Sequence, residues 1–87
     1  MKIKVLVEEF ETKEGKKFKS YKMIDEKGKK VDLRLTMLCA ENCAELISQL
    51  NKCKKAMVTT SEEYKISNSF EFPRIYINDI TEVEKLI

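Results

Sequence analysis

The sequence predicts a mainly β domain with one helix, in the element order β-β-β-α-β-β. Apolar residues alternate with polar ones over much of the first 37 residues, which is typical of half-buried strands. The apolar spacing then changes to three and four residues, which is typical of a helix packed on a core. The chain has 87 residues, of which 43% are hydrophobic and 37% charged, and these values predict a single folded domain over residues 1–87.

Three strands are predicted over residues 2–11, 16–25 and 30–37. The third has the clearest alternation, with apolar side chains at Val31, Leu33, Leu35 and Met37. Each link between strands contains a glycine followed by two lysines, and we expect three-residue loops that end in Gly15 and Gly28. Glycine is favoured at this position because the last loop residue takes a left-handed backbone conformation.

The two loops predict one register for the three-stranded meander. The first loop pairs Thr12 with Lys16, and the second pairs Asp25 with Lys29. The cross-strand pairs that follow are Val5 with Met23, Val7 with Tyr21, Phe10 with Phe18, Met23 with Val31, Tyr21 with Leu33, and Lys19 with Leu35. Both loops place the same apolar side chains on one face, and a slip of one residue would break this agreement.

The helix is predicted after the third strand, and it carries the three cysteines. Its apolar face consists of Cys39, Cys43, Leu46, Ile47, Leu50 and Cys53. We then expect a fourth strand over 56–60, a polar loop or irregular hairpin over 61–69, a fifth strand over 70–80 and a short helical turn over 81–87. Pro73 places the fifth strand at a sheet edge or a bulge.

The composition argues against several classes of protein. Three cysteines without a secretion signal do not make a disulfide framework, and we expect buried thiols instead. The chain has no histidine, no CxxC motif and only two glycines, so we expect no metal, no cofactor, no phosphate-binding loop and no catalysis. No apolar run is long enough to cross a membrane, and we expect a cytoplasmic protein.

Charge is distributed unevenly along the chain, although the net charge is only +2. Residues 1–34 carry 11 Lys and Arg against 7 Asp and Glu, whereas residues 35–87 carry 6 against 8. The basic first part therefore predicts a local positive surface that would attract a polyanion.

The segments GKKFKSYKMIDEKGKKVDLRL at 15–35 and PRIYINDITEVE at 73–84 carry a resemblance to a known family. The first is similar to strands two and three, and the second to the last strand, of OB-fold single-stranded nucleic-acid-binding proteins of the small phage, mobile-element and bacterial type. The resemblance implies a five-stranded OB-like barrel with its helix between strands three and four. The chain departs from the common bacterial members in having no Trp and no acidic, glycine-rich C-terminal tail, through which those proteins recruit partners.

The resemblance also implies a function: non-catalytic binding of single-stranded DNA, or of RNA, with low sequence specificity, in replication or recombination. The ligand surface would be the face of strands two and three with its neighbouring loops. Cations there contact phosphates and aromatic rings stack on bases, and a homo-oligomer would raise the affinity. The candidate nucleic-acid-binding residues are Phe10, Lys16, Lys17, Phe18, Lys19, Lys22, Arg34, Tyr64 and Lys65. Tyr76 is expected to face outward as an ordinary surface tyrosine.

Three alternatives stay open. A bulge near Glu8 and Glu9 would turn Phe10 and Phe18 into the core. The lysines would serve solubility alone, with part of their charge neutralised by facing glutamates such as Glu9 opposite Lys19. The β-barrel face would bind a protein instead of a nucleic acid, as in a small phage-type inhibitor or a replication adaptor.

Overall fold

The computed structural model describes residues 1–61, 65–67 and 73–87. These residues form seven strands and two short helices, so the predicted mainly β chain, with its helical segment after the third strand, is confirmed. The strands are β1 (Lys2–Glu11), β2 (Lys17–Ile24), β3 (Lys30–Leu35), β4 (Lys55–Thr59), β5 (Lys65–Ser67), β6 (Arg74–Ile77) and β7 (Glu82–Lys85). The helices are α1 (Met37–Asn42) and α2 (Ala44–Leu50).

The seven described strands lie in one open sheet, in the order β5-β6-β3-β2-β1-β4-β7. The pair β3–β6 is parallel, and every other neighbouring pair is antiparallel. This sheet differs from the predicted five-stranded OB-like barrel in strand number, and no ladder within the described residues joins its two edge strands.

The two additional strands come from the last third of the chain. β5 lies in the segment predicted as a polar loop or irregular hairpin, and it pairs with β6 over three residues. β7 corrects the helical turn predicted over 81–87: Val83 packs against the core opposite Val58, while its sequence neighbours are exposed. So short an alternation forms a strand because β4 offers a partner edge. Residues 70–72 of the predicted fifth strand lie outside the described residues.

The meander β1-β2-β3 has the register that the two glycine loops predict. Gly15 and Gly28 have φ of +83° and +81°, in the left-handed region that favours glycine. The loops are closed by backbone hydrogen bonds from Thr12 N–H to Lys16 O (2.8 Å) and from Asp25 N–H to Lys29 O (3.0 Å). The predicted cross-strand pairs are confirmed with one exception, because Lys19 and Leu35 lie beyond the end of the β2–β3 ladder.

The hairpin of β1 and β2 extends past the strands on either side of it. β4 pairs with β1 over residues 2–6, and β3 pairs with β2 over residues 21–24. Residues 8–20, which we call the arm, therefore form a two-stranded ribbon that no other described strand joins. Most side chains of the arm are exposed, and the arm carries two of the aromatic residues predicted to bind a ligand.

One face of the sheet, the inner face, forms the core together with the buried side of the helices. The largest fully buried side chains are Leu33, Leu50, Ile75, Val5, Val58 and Cys39. Because successive strand residues point to opposite sides, these positions also define the opposite, outer face of the sheet.

The single predicted helix is divided at Cys43, whose backbone (φ −124°, ψ 26°) leaves the helical region. Thr36 caps α1, since its Oγ1 accepts a hydrogen bond from the Cys39 N–H at 3.3 Å. Cys43 Sγ accepts a hydrogen bond from the Ile80 N–H at 3.3 Å, which ties the division between the helices to the segment after β6. All three cysteines are buried, as predicted, but Cys53 lies beyond the end of α2 and not on the helix.

The sheet is strongly curved. β6 and β7 are five strand spacings apart in the sheet, or about 24 Å if it were flat, yet only residues 78–81 join them. Four linking residues span at most about 18 Å, so the sheet must curl. Two hydrogen bonds join this link to the end of β4: Ser61 N–H donates to the Asp79 carboxylate (3.2 Å), and Thr81 N–H donates to Thr59 O (2.8 Å).

Candidate nucleic-acid interface

The outer face of β1, β2, β3 and β6 carries the side chains that alternate with the core residues of these strands. Val7, Tyr21, Leu33 and Ile75 face inward, so their neighbours in sequence face outward. The central outer side chains are Leu6, Glu8, Phe10, Phe18, Ser20, Lys22, Asp32, Arg34, Arg74 and Tyr76, and two of them, Glu8 and Asp32, are carboxylates. Aromatic rings and cations therefore share one side of the sheet.

Phe10 and Phe18 are direct cross-strand partners on the arm, and they are 46% and 51% exposed. The β1–β2 register runs without interruption through the arm, so the bulge near Glu8 and Glu9 does not form and the rings do not join the core. Two neighbouring rings on the solvent side of a ribbon present flat apolar surface that packing within the domain does not require.

Asp32 contacts two arginines on this face. Its Oδ2 accepts hydrogen bonds from Arg34 Nε at 3.3 Å and from Arg74 Nε at 2.9 Å. Arg74 Nη1 also donates to the Tyr76 hydroxyl at 3.4 Å. The parallel pairing of β3 with β6 places Asp32 beside Arg74 and Arg34 beside Tyr76. We call these four residues the arginine network.

The predicted cations divide between the two faces. Lys22 and Arg34 lie on the outer face, whereas alternation places Lys17 and Lys19 on the opposite side of the arm. Lys16 is exposed in the loop at the tip of the arm. The predicted residues that the structure brings together on the outer face are Phe10, Phe18, Lys22 and Arg34.

The lysines on the other side of the arm face glutamates, as the sequence predicts. Lys19 Nζ lies 3.9 Å from Glu9 Oε2, and Lys17 is the cross-strand neighbour of Glu11. These partners reduce the positive charge on that side, so the cations of the outer face are the stronger candidates for phosphate contact.

Two predicted residues come from the segment after β4. Tyr64 lies outside the described residues. Lys65 is the first residue of β5, and its backbone pairs with Tyr76 of β6, which places it at the edge of the sheet next to the arginine network.

Arg74 and Tyr76 belong to the outer face but were not among the predicted binding residues. The alternation in RIYI indicates that both side chains lie on one face of a strand, so the sequence contains part of the information needed to find them. The sequence does not show the parallel pairing of β6 with β3. Only that pairing makes neighbours of Asp32 and Arg74, which are 42 positions apart in the chain.

A groove of about 200 Å³ lies between β2 and β3, beside the arginine network. Its lining includes Ser20, Tyr21, Asp32 and Arg34. Ser20 Oγ is buried there, with no hydrogen-bond partner among the described residues.

Two titratable side chains that pack in the core, Cys39 and Tyr21, have raised pKa values. Burial, reinforced by the neighbouring Cys43 thiol, raises the pKa of Cys39 to about 12. Burial also raises the pKa of Tyr21, whose hydroxyl donates to Asn51 Oδ1. The Cys39 thiol therefore stays protonated at neutral pH, where it is a poor nucleophile.

In the part of the chain that the structure describes, no group of three or more His, Cys, Asp and Glu side chains is placed to hold a metal ion. Among the same residues, no helix has both the length and the apolar character needed to cross a bilayer.

No family model matches the chain, and no curated protein or solved structure matches it.

Proposed function

We propose that the chain is a non-catalytic protein that binds single-stranded DNA with low sequence specificity and acts in replication or recombination. The observation that carries the proposal is the exposed pair Phe10 and Phe18, which shares the outer face with Lys22 and Arg34. Binding of a single strand requires this combination, because rings stack on bases and cations contact phosphates.

Low sequence specificity follows from the chemistry of the outer face. A phenyl ring stacks on any base, since every base has a π face, and lysine and arginine bind phosphates that are the same in every nucleotide. Stacking contributes roughly 1–3 kcal/mol per base, so the two rings would supply a substantial part of the affinity. RNA also presents bases that can stack on the phenyl rings and phosphates that can contact the cations, so it is the second polymer to test.

We assign the curved sheet to an OB-like barrel. In support, β1, β2 and β3 form a meander, the helices follow β3, and the link over 78–81 requires curling. β4 pairs with β1, and β5, which follows it in the chain, pairs with β6. Two strands that follow one another in the chain therefore lie on the two sides of the meander, which supports closure into a five-stranded barrel with β7 at its edge.

The proposal includes a homo-oligomer, because a surface with few cations binds weakly by itself and several linked copies raise the apparent affinity. It also includes a cytoplasmic place of action, as expected from the sequence, and a phage or mobile-element origin, which the resemblance of residues 15–35 to the strands of such proteins supports.

Fluorescence anisotropy with a labelled oligo-dT at low and moderate salt tests the proposal, with oligo-U as the RNA arm. We expect saturable binding at low salt that weakens as salt rises, with log K against log salt falling by about 0.7 for each phosphate neutralised. Absence of binding to both polymers at low salt would refute the proposal.

A protein-interaction module is the second candidate, favoured by α1. Met37 is 80% exposed, and the adjacent Leu38 is also exposed. Together with the exposed Phe10 and Phe18 of the β-barrel face, these residues offer apolar surface to a protein partner, as in a small phage-type inhibitor or a replication adaptor. An apolar protein interface would bind with little dependence on salt, which separates it from the first proposal.

A further inference from the structure

We infer that Asp32 is an internal competitor that restricts phosphate binding by Arg34, and so limits the affinity of the outer face for single-stranded DNA. The inference rests on the proposed function, and it names the residue that regulates the same surface. In the free protein, the Asp32 carboxylate would bind the Arg34 guanidinium group. In the complex, a phosphate of the bound strand would bind that guanidinium group instead.

The shared carboxylate oxygen is the first support. Asp32 Oδ2 accepts from Arg74 Nε at 2.9 Å and from Arg34 Nε at 3.3 Å, so the second contact is the longer one. The Arg34 side chain is 57% exposed, against 25% for Arg74. Arg34 is therefore the guanidinium that a ligand can reach, and its bond to Asp32 is the weaker of the two.

The position of Asp32 on the sheet is the second support. Its neighbours across the sheet are Lys22 on β2 and Arg74 on β6, so its carboxylate lies among cations of three strands. A strand of nucleic acid that crosses the outer face meets this negative group at the centre. Carboxylate and phosphate oxygens suit the same planar guanidinium fork, so the two compete directly for Arg34.

The contact of Asp32 with Arg74 gives the carboxylate a second, structural role. Arg74, held by Asp32, donates to the Tyr76 hydroxyl at 3.4 Å, so the carboxylate also orders β6 beside β3. Replacement by asparagine removes the charge but keeps an oxygen acceptor of similar shape, so Arg74 can keep its partner while Arg34 is released.

Asp32→Asn is the test, measured by anisotropy with labelled oligo-dT over a series of salt concentrations. We expect binding roughly fivefold tighter than wild type at low salt, because the Arg34 guanidinium no longer has to leave a carboxylate before it contacts a phosphate. The slope of log K against log salt should steepen by about 0.7, because one more cation neutralises a phosphate. Asp32→Ser is the second variant should the asparagine disturb folding, which circular dichroism checks.

Two controls separate this effect from a general change in charge. Glu84→Gln removes the same charge from β7, four strands away in the sheet, and should change the affinity by less than about twofold. Arg34→Gln made together with Asp32→Asn should abolish the gain, because the gain acts through that guanidinium.

Each outcome decides a separate point. A gain that disappears with Arg34→Gln supports the inference, whereas unchanged or weaker binding by Asp32→Asn overturns it while the proposed function stands. Binding by the variant but not by the wild type supports the competitor role and refutes the proposed function for the native chain. Binding by neither overturns both.

Discussion

The two faces of strand β2 carry residues of opposite kinds. On the inner face, Tyr21 and Met23 pack against the core, and burial explains both. On the outer face, Phe18 is half exposed and Lys22 lies opposite Asp32, and burial explains neither. Residues that stability does not account for are candidates for binding, so the two faces should respond differently to substitution.

Leu33→Ala is expected to have the largest effect. Leu33 is only 1% exposed, and its truncation leaves a cavity in the core, so the free energy of unfolding should fall by about 2–5 kcal/mol. Urea unfolding followed by circular dichroism measures this change. Arg34→Ala, the next residue on the outer face, is the matched control and should stay within about 1 kcal/mol of wild type. Equal losses in the two variants would contradict the assignment of the faces.

Phe18→Ala should separate binding from stability. We expect a loss of about 1–3 kcal/mol in the free energy of oligo-dT binding, because one stacking ring is removed. The loss in unfolding free energy should be less than about 1 kcal/mol, since the ring is exposed. Phe18→Leu keeps an apolar side chain but no ring and should also weaken binding. A variant that unfolds, or one that binds as well as wild type, would sink this prediction.

The two glycine loops extend the comparison to the arm. Gly28→Ala places a Cβ at φ +81° and should lower the free energy of unfolding by about 1–2 kcal/mol. Gly15→Ala has nearly the same backbone angle, but the arm can fray without opening the sheet, so its effect should be smaller. Urea unfolding of both variants, with Gly28→Asn as the tolerated replacement, measures the difference. A larger effect at Gly15 would mean that the arm is part of the cooperative core.

The smallest expected difference is in the salt dependence of DNA binding between variants of two lysines of β2. Lys22→Gln should reduce the slope of log K against log salt by about 0.7, because this side chain lies on the outer face. Lys19→Gln removes the same charge from the other side, where Glu9 already pairs with it, and should change the slope less. Neither substitution should change the free energy of unfolding by more than about 0.5 kcal/mol. Equal slopes for the two variants would mean that binding does not distinguish the faces.

The part of the fold that the sequence predicts well is the local part. The register of β1, β2 and β3 follows from Gly15 and Gly28, because each fixes a short loop and the alternation then determines the facing residues. The formation of the first strands and the burial of the cysteines also follow from the short-range spacing of apolar residues. These features depend on neighbours in the chain, which the sequence displays directly.

Features that depend on contacts between residues far apart in the chain could not be predicted from these short-range patterns. The division at Cys43 involves a contact with Ile80, and the strand at 82–85 forms because β4 provides an edge for it. Pairing of β3 with β6 brings Arg74 and Tyr76 into the candidate site, and no periodicity in the sequence encodes that pairing. The exposure of Phe10 and Phe18 stayed open for the same reason, since it depends on whether a bulge interrupts the ladder.

The claim that the outer face binds single-stranded DNA is tested most directly by NMR on the labelled chain during a titration with oligo-dT. Ring protons of Phe10 and Phe18 should shift upfield as bases stack on them, and the Arg34 Nε–H signal should move with the same saturation curve. Amide signals of the core and of α1 should change little. Shifts centred on Met37 and Leu38 of α1, or no shifts at low salt, would contradict the claim.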